Sequence, residues 1–453
     1  MDSDWTTLSR EGKRARRLEW YSSTDGIRFD SPECEKAYRV RAQRMIDVYN
    51  VCEPDRVPVA LPIGSLPVEY AGIDYRTAMY DAEKAAQAWL KFSLETDLDA
   101  FAAPNVPVGE MLELLDYRLY RWPGHGMAKD GLGYQFVEAE YMTADEYDAL
   151  IHDPSDFWMR IYLPRVFGTF EPFRMLQSFT AVSELPMVTP HFMPYTRPEV
   201  QASLQKLIEV GKTLGSWMQI VSSVGRRGRE FGFPAFGSCY AKAPFDTIGD
   251  TLRGTKGIIL DMRRRPEKLL EALDVVAQIT IDVTVATLNA SRGQIALFPL
   301  HKGADGWMSE KQFETFYWPT LKRVVDGLIE QGIMPTLFAE GGFETRLGLV
   351  NEFPKGAVNW LFDRTDMGKA KKMLGAQCCI AGNVPASLMV TGSPGEVKDY
   401  CRGLIEVCGE GGGFILAAGT NSIEGTRIEN LRAMVEATME YGVYSARRAT
   451  PES

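Results

Sequence analysis

Two residues with acid–base chemistry stand out in this chain of 453 residues: His301 and Glu340. His301 is one of four histidines, and it closes the apolar run Arg292-Gly-Gln-Ile-Ala-Leu-Phe-Pro-Leu. An imidazole at the end of such a run can act as a general acid or as a metal ligand; the competing reading is a hydrogen-bonded loop histidine. Glu340 closes Ile333-Met-Pro-Thr-Leu-Phe-Ala and precedes two glycines. It reads as an acid or an oxygen ligand, against a solvated or ion-paired carboxylate. Asp305 follows His301 in the same glycine-flanked loop and could orient its ring. Asp363 closes Ala357-Val-Asn-Trp-Leu-Phe, with pairing to Arg364 or Arg346 as the alternative. Asn383 is a candidate substrate contact or the organiser of its own turn ahead of Pro385. His191, set among Pro190, Phe192 and Pro194, is a candidate substrate contact or packing. Thr420 closes a fourth run, Gly411-Gly-Gly-Phe-Ile-Leu-Ala-Ala-Gly. Cys378 and Cys379 read as core, since a nucleophilic thiol needs an exposed, electropositive site.

What must hold these residues is a set of short apolar runs. Four lie between Ile333 and Thr420, with helical patterns over residues 365–374 and 394–408. Runs of that length alternating with helices describe parallel strands buried on both faces. Further strands are read at Arg56-Val-Pro-Val-Ala-Leu-Pro, at residues 99–105, at Phe231-Gly-Phe-Pro-Ala-Phe-Gly-Ser-Cys and before His301, with a helix over residues 82–96. The fold class is α/β, a (β/α)8 TIM barrel, in which residues just past each strand face the active site. Residues 1–53 form an N-terminal helical arm, with helix starts at Ser9 and at Ser31-Pro32. The arm packs on a second subunit in a homodimer or covers the barrel's bottom. Residues 54–453 form the barrel. Within it, residues 150–230 are aromatic and proline-broken, reading as a helical cap whose apolar walls suit an aromatic ligand.

The net charge is −10 and no basic face is evident, which argues against a nucleic-acid partner. No apolar run approaches the roughly 20 residues of a membrane span, and Met1-Asp-Ser-Asp-Trp begins no signal peptide. Seven cysteines without metal-finger spacing suit a cytoplasmic enzyme with reduced thiols.

Leu374-Gly, Cys379-Ile-Ala-Gly-Asn-Val-Pro-Ala-Ser-Leu, Gly392-Ser-Pro-Gly-Glu-Val, Tyr400-Cys and Gly411-Gly-Gly-Phe-Ile-Leu resemble the uroporphyrinogen decarboxylase superfamily. The resemblance runs from about Pro54 to Tyr444 and is strongest to the branch that serves corrinoid-dependent methyl transfer. It implies a methyltransferase that takes a methyl group from a small methylated substrate, plausibly a methoxylated aromatic compound. The acceptor would be the cobalt(I) of a corrinoid (cobalamin) carried by a partner protein, since this chain shows no Asp-x-His-x-x-Gly motif of its own.

The chain also departs from that pattern. The superfamily's decarboxylases carry an aspartate near the end of the second strand, where Ala102-Ala103-Pro104-Asn105 stands here. Losing that carboxylate counts against a porphyrinogen decarboxylase, which needs an anion near the pyrrole nitrogens. Methyltransferase relatives carry His-x-Cys and a distant Cys that bind a thiol-activating zinc; Phe338, Glu340 and Thr420 occupy the matching positions. Glu340 is then a ligand of a different zinc site, with His301 or Asp363, or a metal-free general acid. Demethylation of an ether needs one or the other, because an alkoxide or phenoxide leaves poorly. A decarboxylase acting on another acid and a non-catalytic binding protein on the same barrel are the alternatives.

Overall fold

The computed structural model describes residues 5–60, 62–235, 239–420 and 423–444. Six strands form one parallel sheet, in chain order across it: Cys239–Tyr240, Ile295–Leu300, Met334–Ala339, Asn359–Phe362, Cys379–Val384 and Phe414–Ala418. Every residue of the last four is buried. Their sequences carry no polar alternation because both faces are covered. Helices Trp318–Ile329, Met367–Leu374 and Pro394–Cys408 pack beside these strands. Ser393 caps the last of them in a reciprocal capping box with Glu396, and Pro394 takes its first turn, where a missing N–H costs nothing.

The runs expected as the first two strands are reduced to single bridges. Val59 pairs in parallel with Leu416, and Phe101 with Ala235; the Asp99 N–H donates to the Val59 carbonyl at 2.9 Å. Pro58, Pro62 and Pro104 each lack an N–H, which thins the donors these segments can offer a ladder. Asp99 lies fully buried between them. It accepts from Arg56 at 2.8 Å and from the Val59 N–H at 2.7 Å, which fixes the two segments side by side without a strand.

Helices Arg10–Ser22 and Pro32–Tyr49 begin at Ser9 and Ser31, whose side chains accept the N–H groups of Gly12 and Cys34. Fully buried Arg17 donates to the Gln331 carbonyl at 2.8 Å, to Asn289 Oδ1 at 2.6 Å and to the Gly293 carbonyl. Gly332 lies at φ +68°, and a Cβ there would stand 2.5 Å from the Arg14 nitrogen. These contacts lie on the loops that feed the Ile295–Leu300 and Met334–Ala339 strands. The first helices therefore pack on the end of the sheet opposite His301 and Glu340, within the same chain.

The segment expected to cap the mouth is largely helical, ending in the 33-residue helix Pro198–Glu230. Some of its aromatic side chains pack among themselves, while Phe157 and Tyr162 join the main core and Phe167 stacks on Tyr117 at 4.7 Å. Phe173, Leu176 and Val200 form a small separate cluster flanked by Phe170 and Tyr195, and the Phe170 and Phe173 rings meet edge to face at 5.0 Å. Among the described residues no helix is long and apolar enough to cross a membrane.

Candidate active site

Parallel register sets Leu300 beside Ala339 and Ala339 beside Phe362. The residues that follow, His301, Glu340 and Asp363, therefore emerge together at the carboxyl ends of three adjacent strands. His301 Nε2 stands 3.9 Å from Glu340 Oε1. Both side chains remain more than a third exposed, at 38% and 36%.

A second layer comes from Pro244–Asp246 and the π-helical turn Thr247–Leu252. Asp246 and Asp250 sit four residues apart and face the same way. Asp250 Oδ2 lies 2.6 Å from His301 Nδ1. The same carboxylate takes ion pairs from Lys242 at 2.9 Å and Lys302 at 2.6 Å. Gly249 makes room for the lysine stem, since a Cβ there would stand 2.8 Å from Cε of Lys302. Asp246 is fully buried. It accepts the backbone N–H groups of His301 and Lys302 at 3.0 Å each and the Tyr317 hydroxyl at 2.7 Å. It thereby fixes the chain at the point where the strand turns into the site.

These contacts set the protonation states. Burial works to raise the Asp250 carboxyl, but the His301 hydrogen bond and the two ammonium groups hold it well below the usual carboxylate range. Burial disfavours charging His301, yet its bond to Asp250 and the charges of Asp246, Asp250 and Glu340 outweigh that and raise it. Glu340 is pushed up by burial, opposed by His301 and reinforced by the charges of Asp246, Asp363 and Asp250. The outcome is a charged anchor, Asp250, behind a ring and a carboxyl that both retain protons better than their free forms.

The remaining residues singled out from sequence are engaged otherwise. Asp363 accepts the Gly341 N–H at 3.0 Å and bears electrostatically on Glu340. Asp305 does not meet His301. It accepts the Thr345 hydroxyl at 2.8 Å and lies 3.5 Å from buried Arg346, and Asp250 takes the orienting role in its place. Asn383 donates to the carbonyls of Asp363 at 3.0 Å and Thr365 at 2.8 Å, so its amide nitrogen ties backbone rather than facing a ligand. His191 is buried, with the rings of Phe179 and Phe192 at 5.8 and 4.9 Å. Cys378 and Cys379 are buried, and burial pushes the Cys378 thiol up to about 12. Asp246, Asp250, Lys242, Lys302 and Tyr317 went unread in the sequence. Their one signal is Pro244-Phe-Asp-Thr-Ile-Gly-Asp, with two carboxylates at helical spacing.

Among the described residues no three His, Cys, Asp or Glu side chains converge as a metal-binding group. His301 Nε2 and Glu340 Oε1 stand 3.9 Å apart with no third such side chain converging on them. That pair does not supply the three or four protein ligands of a zinc site.

A cavity of about 520 Å³ lies deeper along the same strands, and none of His301, Glu340, Asp363, Asp246 and Asp250 is among its lining residues. Leu297, Thr336, Asn359 and Leu361 supply it from the sheet, and Tyr75, Trp89, Tyr134 and Tyr240 supply aromatic wall. None of its lining residues comes from 150–230, correcting the expectation that this region shapes the pocket. Tyr134 instead comes from a small three-stranded ribbon, Tyr120–Pro123, Gly126–Met127 and Gln135–Phe136, where it ends the loop before the last strand.

A parallel α/β sheet with its polar cluster at the strands' carboxyl ends defines an enzyme-type architecture. Residues 181–441 match the family model "Uroporphyrinogen decarboxylase (URO-D)", and the chain belongs to that family. Among solved structures it is similar to a methyltransferase from Methanosarcina mazei, at 15% identity and a TM-score of 0.58, over 89% of this chain and 98% of that one. That likeness is one of fold. Among curated proteins none matches.

Proposed function

We propose that this protein is the methyltransferase component of a corrinoid-dependent O-demethylating system. Its substrate is a small methoxylated aromatic compound, and its acceptor is the corrinoid of a separate partner protein. The observation that carries the reading is the line from Asp250 through His301 to Glu340 at the carboxyl ends of adjacent strands. Family membership and the fold shared with a methyltransferase support it.

When bound by the partner, the corrinoid supplies a cobalt(I) nucleophile for the methyl group. This chain acts at the other end of the breaking bond. His301, held protonated on Nδ1 by Asp250, points Nε2 toward Glu340, and this pair delivers a proton to the ether oxygen as the carbon–oxygen bond breaks. The leaving group departs as a neutral phenol instead of a phenoxide. His301 and Glu340 are exposed enough to be reached by a partner's prosthetic group at the mouth.

We further infer that the sheet closes as a (β/α)8 barrel. The segments around Val59 and Phe101 act as the first two staves: Val59 joins Leu416, Asp99 joins Val59 and Phe101 joins Ala235. The seven cysteines are all free thiols, which suits a cytoplasmic enzyme.

Demethylation assays with a reduced corrinoid protein and methoxylated aromatics test the proposal. Loss of the cobalt(I) absorbance with release of the phenol is the expected result. Release of carbon dioxide from porphyrinogens, without demethylation, would establish the decarboxylase reading instead. That reading is disfavoured by Asn105 at the cavity wall and by the lack, among the described lining residues, of arginine or lysine to receive a polycarboxylate.

A further inference from the structure

The cavity described above is lined almost without charged side chains. Among the described residues that line it there is no arginine, lysine or histidine; its one ionisable carboxylate is Glu424. Glu424 accepts the Ser65 hydroxyl at 2.8 Å. Tyr75 and Tyr134 line the same cavity. On the sheet side Asn359 is 5% exposed. Its Nδ2 donates toward Thr336 Oγ1 at 3.4 Å, while its Oδ1 is buried without a hydrogen-bond partner.

A buried acceptor left unpaired is destabilising, and it is relieved by a ligand that brings a donor. A ligand carboxylate would meet the opposite situation. It would lose its hydration beside Glu424 with no cation to compensate, a combination that polar burial penalises heavily. Aromatic walls in a cavity of about 520 Å³ accept a single substituted ring.

We propose that this cavity binds uncharged methoxylated phenols, with a ligand hydroxyl donating to Glu424 or Asn359, and that it rejects methoxylated aromatic carboxylates. The inference rests on the proposed O-demethylase function and narrows its substrate class.

Direct binding of ortho-methoxyphenol and ortho-methoxybenzoate to the full chain, by calorimetry or by quenching of Trp89 fluorescence, tests it without any corrinoid protein. The phenol should bind roughly tenfold or more tightly than the benzoate. Glu424→Gln should narrow that ratio by letting the benzoate in. Filling the cavity with Ala381→Phe should abolish binding; if that variant fails to fold, Ala103→Trp at the exposed rim replaces it. Equal or tighter binding of the benzoate, no binding of either compound, or binding that survives cavity filling each overturns the inference. Selective phenol binding without methyl transfer to any corrinoid protein would instead overturn the proposed reaction and leave the ligand class standing.

Discussion

Asp250 Oδ2 lies 2.6 Å from Nδ1 of His301, while the same carboxylate is gripped by Lys242 and Lys302. The lysines keep Asp250 ionised, and an ionised Asp250 keeps a proton on Nδ1. In the proposed reaction the acid at Nε2 would thus be set from behind His301, by Asp250 and the two lysines.

Asp250→Asn should remove that support. His301 loses the partner that raises its pKa, so a smaller fraction of the ring is protonated at neutral pH. The alkaline limb of the kcat profile should move to lower pH, and kcat at neutral pH should fall about a hundredfold, within the usual range for acid–base groups. A fall in kcat with the alkaline limb unmoved would assign Asp250 a structural role only.

His301→Ala and Glu340→Gln should each abolish turnover while preserving the fold. Both side chains are more than a third exposed, so their loss should leave the fold intact, at a modest cost where His301 gives up its bond to Asp250. Turnover and urea unfolding measured on the same preparations check the pair of claims. Wild-type turnover in both variants would sink the assignment of roles.

His301 also predicts a pH dependence of stability. Its folded pKa lies above its unfolded value. Its contribution is therefore fully present below about pH 6.5 and is lost as pH rises through the folded pKa. The stability gap between wild type and His301→Ala should be larger at about pH 5.5 than at about pH 9. Asp250 has the opposite sign: its pKa is depressed, so its contribution is present above about pH 4 and fades as pH falls further. Urea midpoints across this range, with both variants, separate the two.

The strand ends were legible because buried parallel strands leave a plain trace: short unbroken apolar runs, each closing in a polar residue. His301, Glu340 and Asp363 could be found that way, and the helix over Ala82–Thr96 follows from its pattern and its Asp81 cap. Asp250 could not be placed against His301 from sequence, because the two lie 51 residues apart and meet only through the sheet's register. The same limit explains Asp305. Nearness in the chain suggested His301 as its partner, but the loop turns it toward Thr345 and Arg346. Aromatic richness in residues 150–230 likewise signalled a pocket wall, when the rings were taken up by one another and by the main core.

Asp305→Ala should therefore behave as a loop variant and not as a catalytic one. The side chain holds the Thr345 hydroxyl and backbone N–H, at 2.8 and 3.3 Å in an exposed setting, and its removal should cost about 0.5–1.5 kcal/mol of stability. Hydrogen exchange should rise across residues 341–346, and the alkaline limb of kcat should stay where it is in the wild type. A shifted limb would return Asp305 to the set of residues that govern His301.

Arg17→Ala tests how the first helices serve the site from the far end of the sheet. The guanidinium is the donor for the carbonyls of Gln331 and Gly293, just ahead of the strands that end in Glu340 and His301. Removing it leaves both carbonyls buried without that donor and opens a space beside Trp5, whose ring it covers at 4.8 Å. A loss of about 2–4 kcal/mol is expected in urea unfolding, with the pH profile of surviving activity unchanged, because the Asp250–His301 pair lies at the other end of the strands. A stability within error of wild type would mean that these helices dock through their apolar contacts alone.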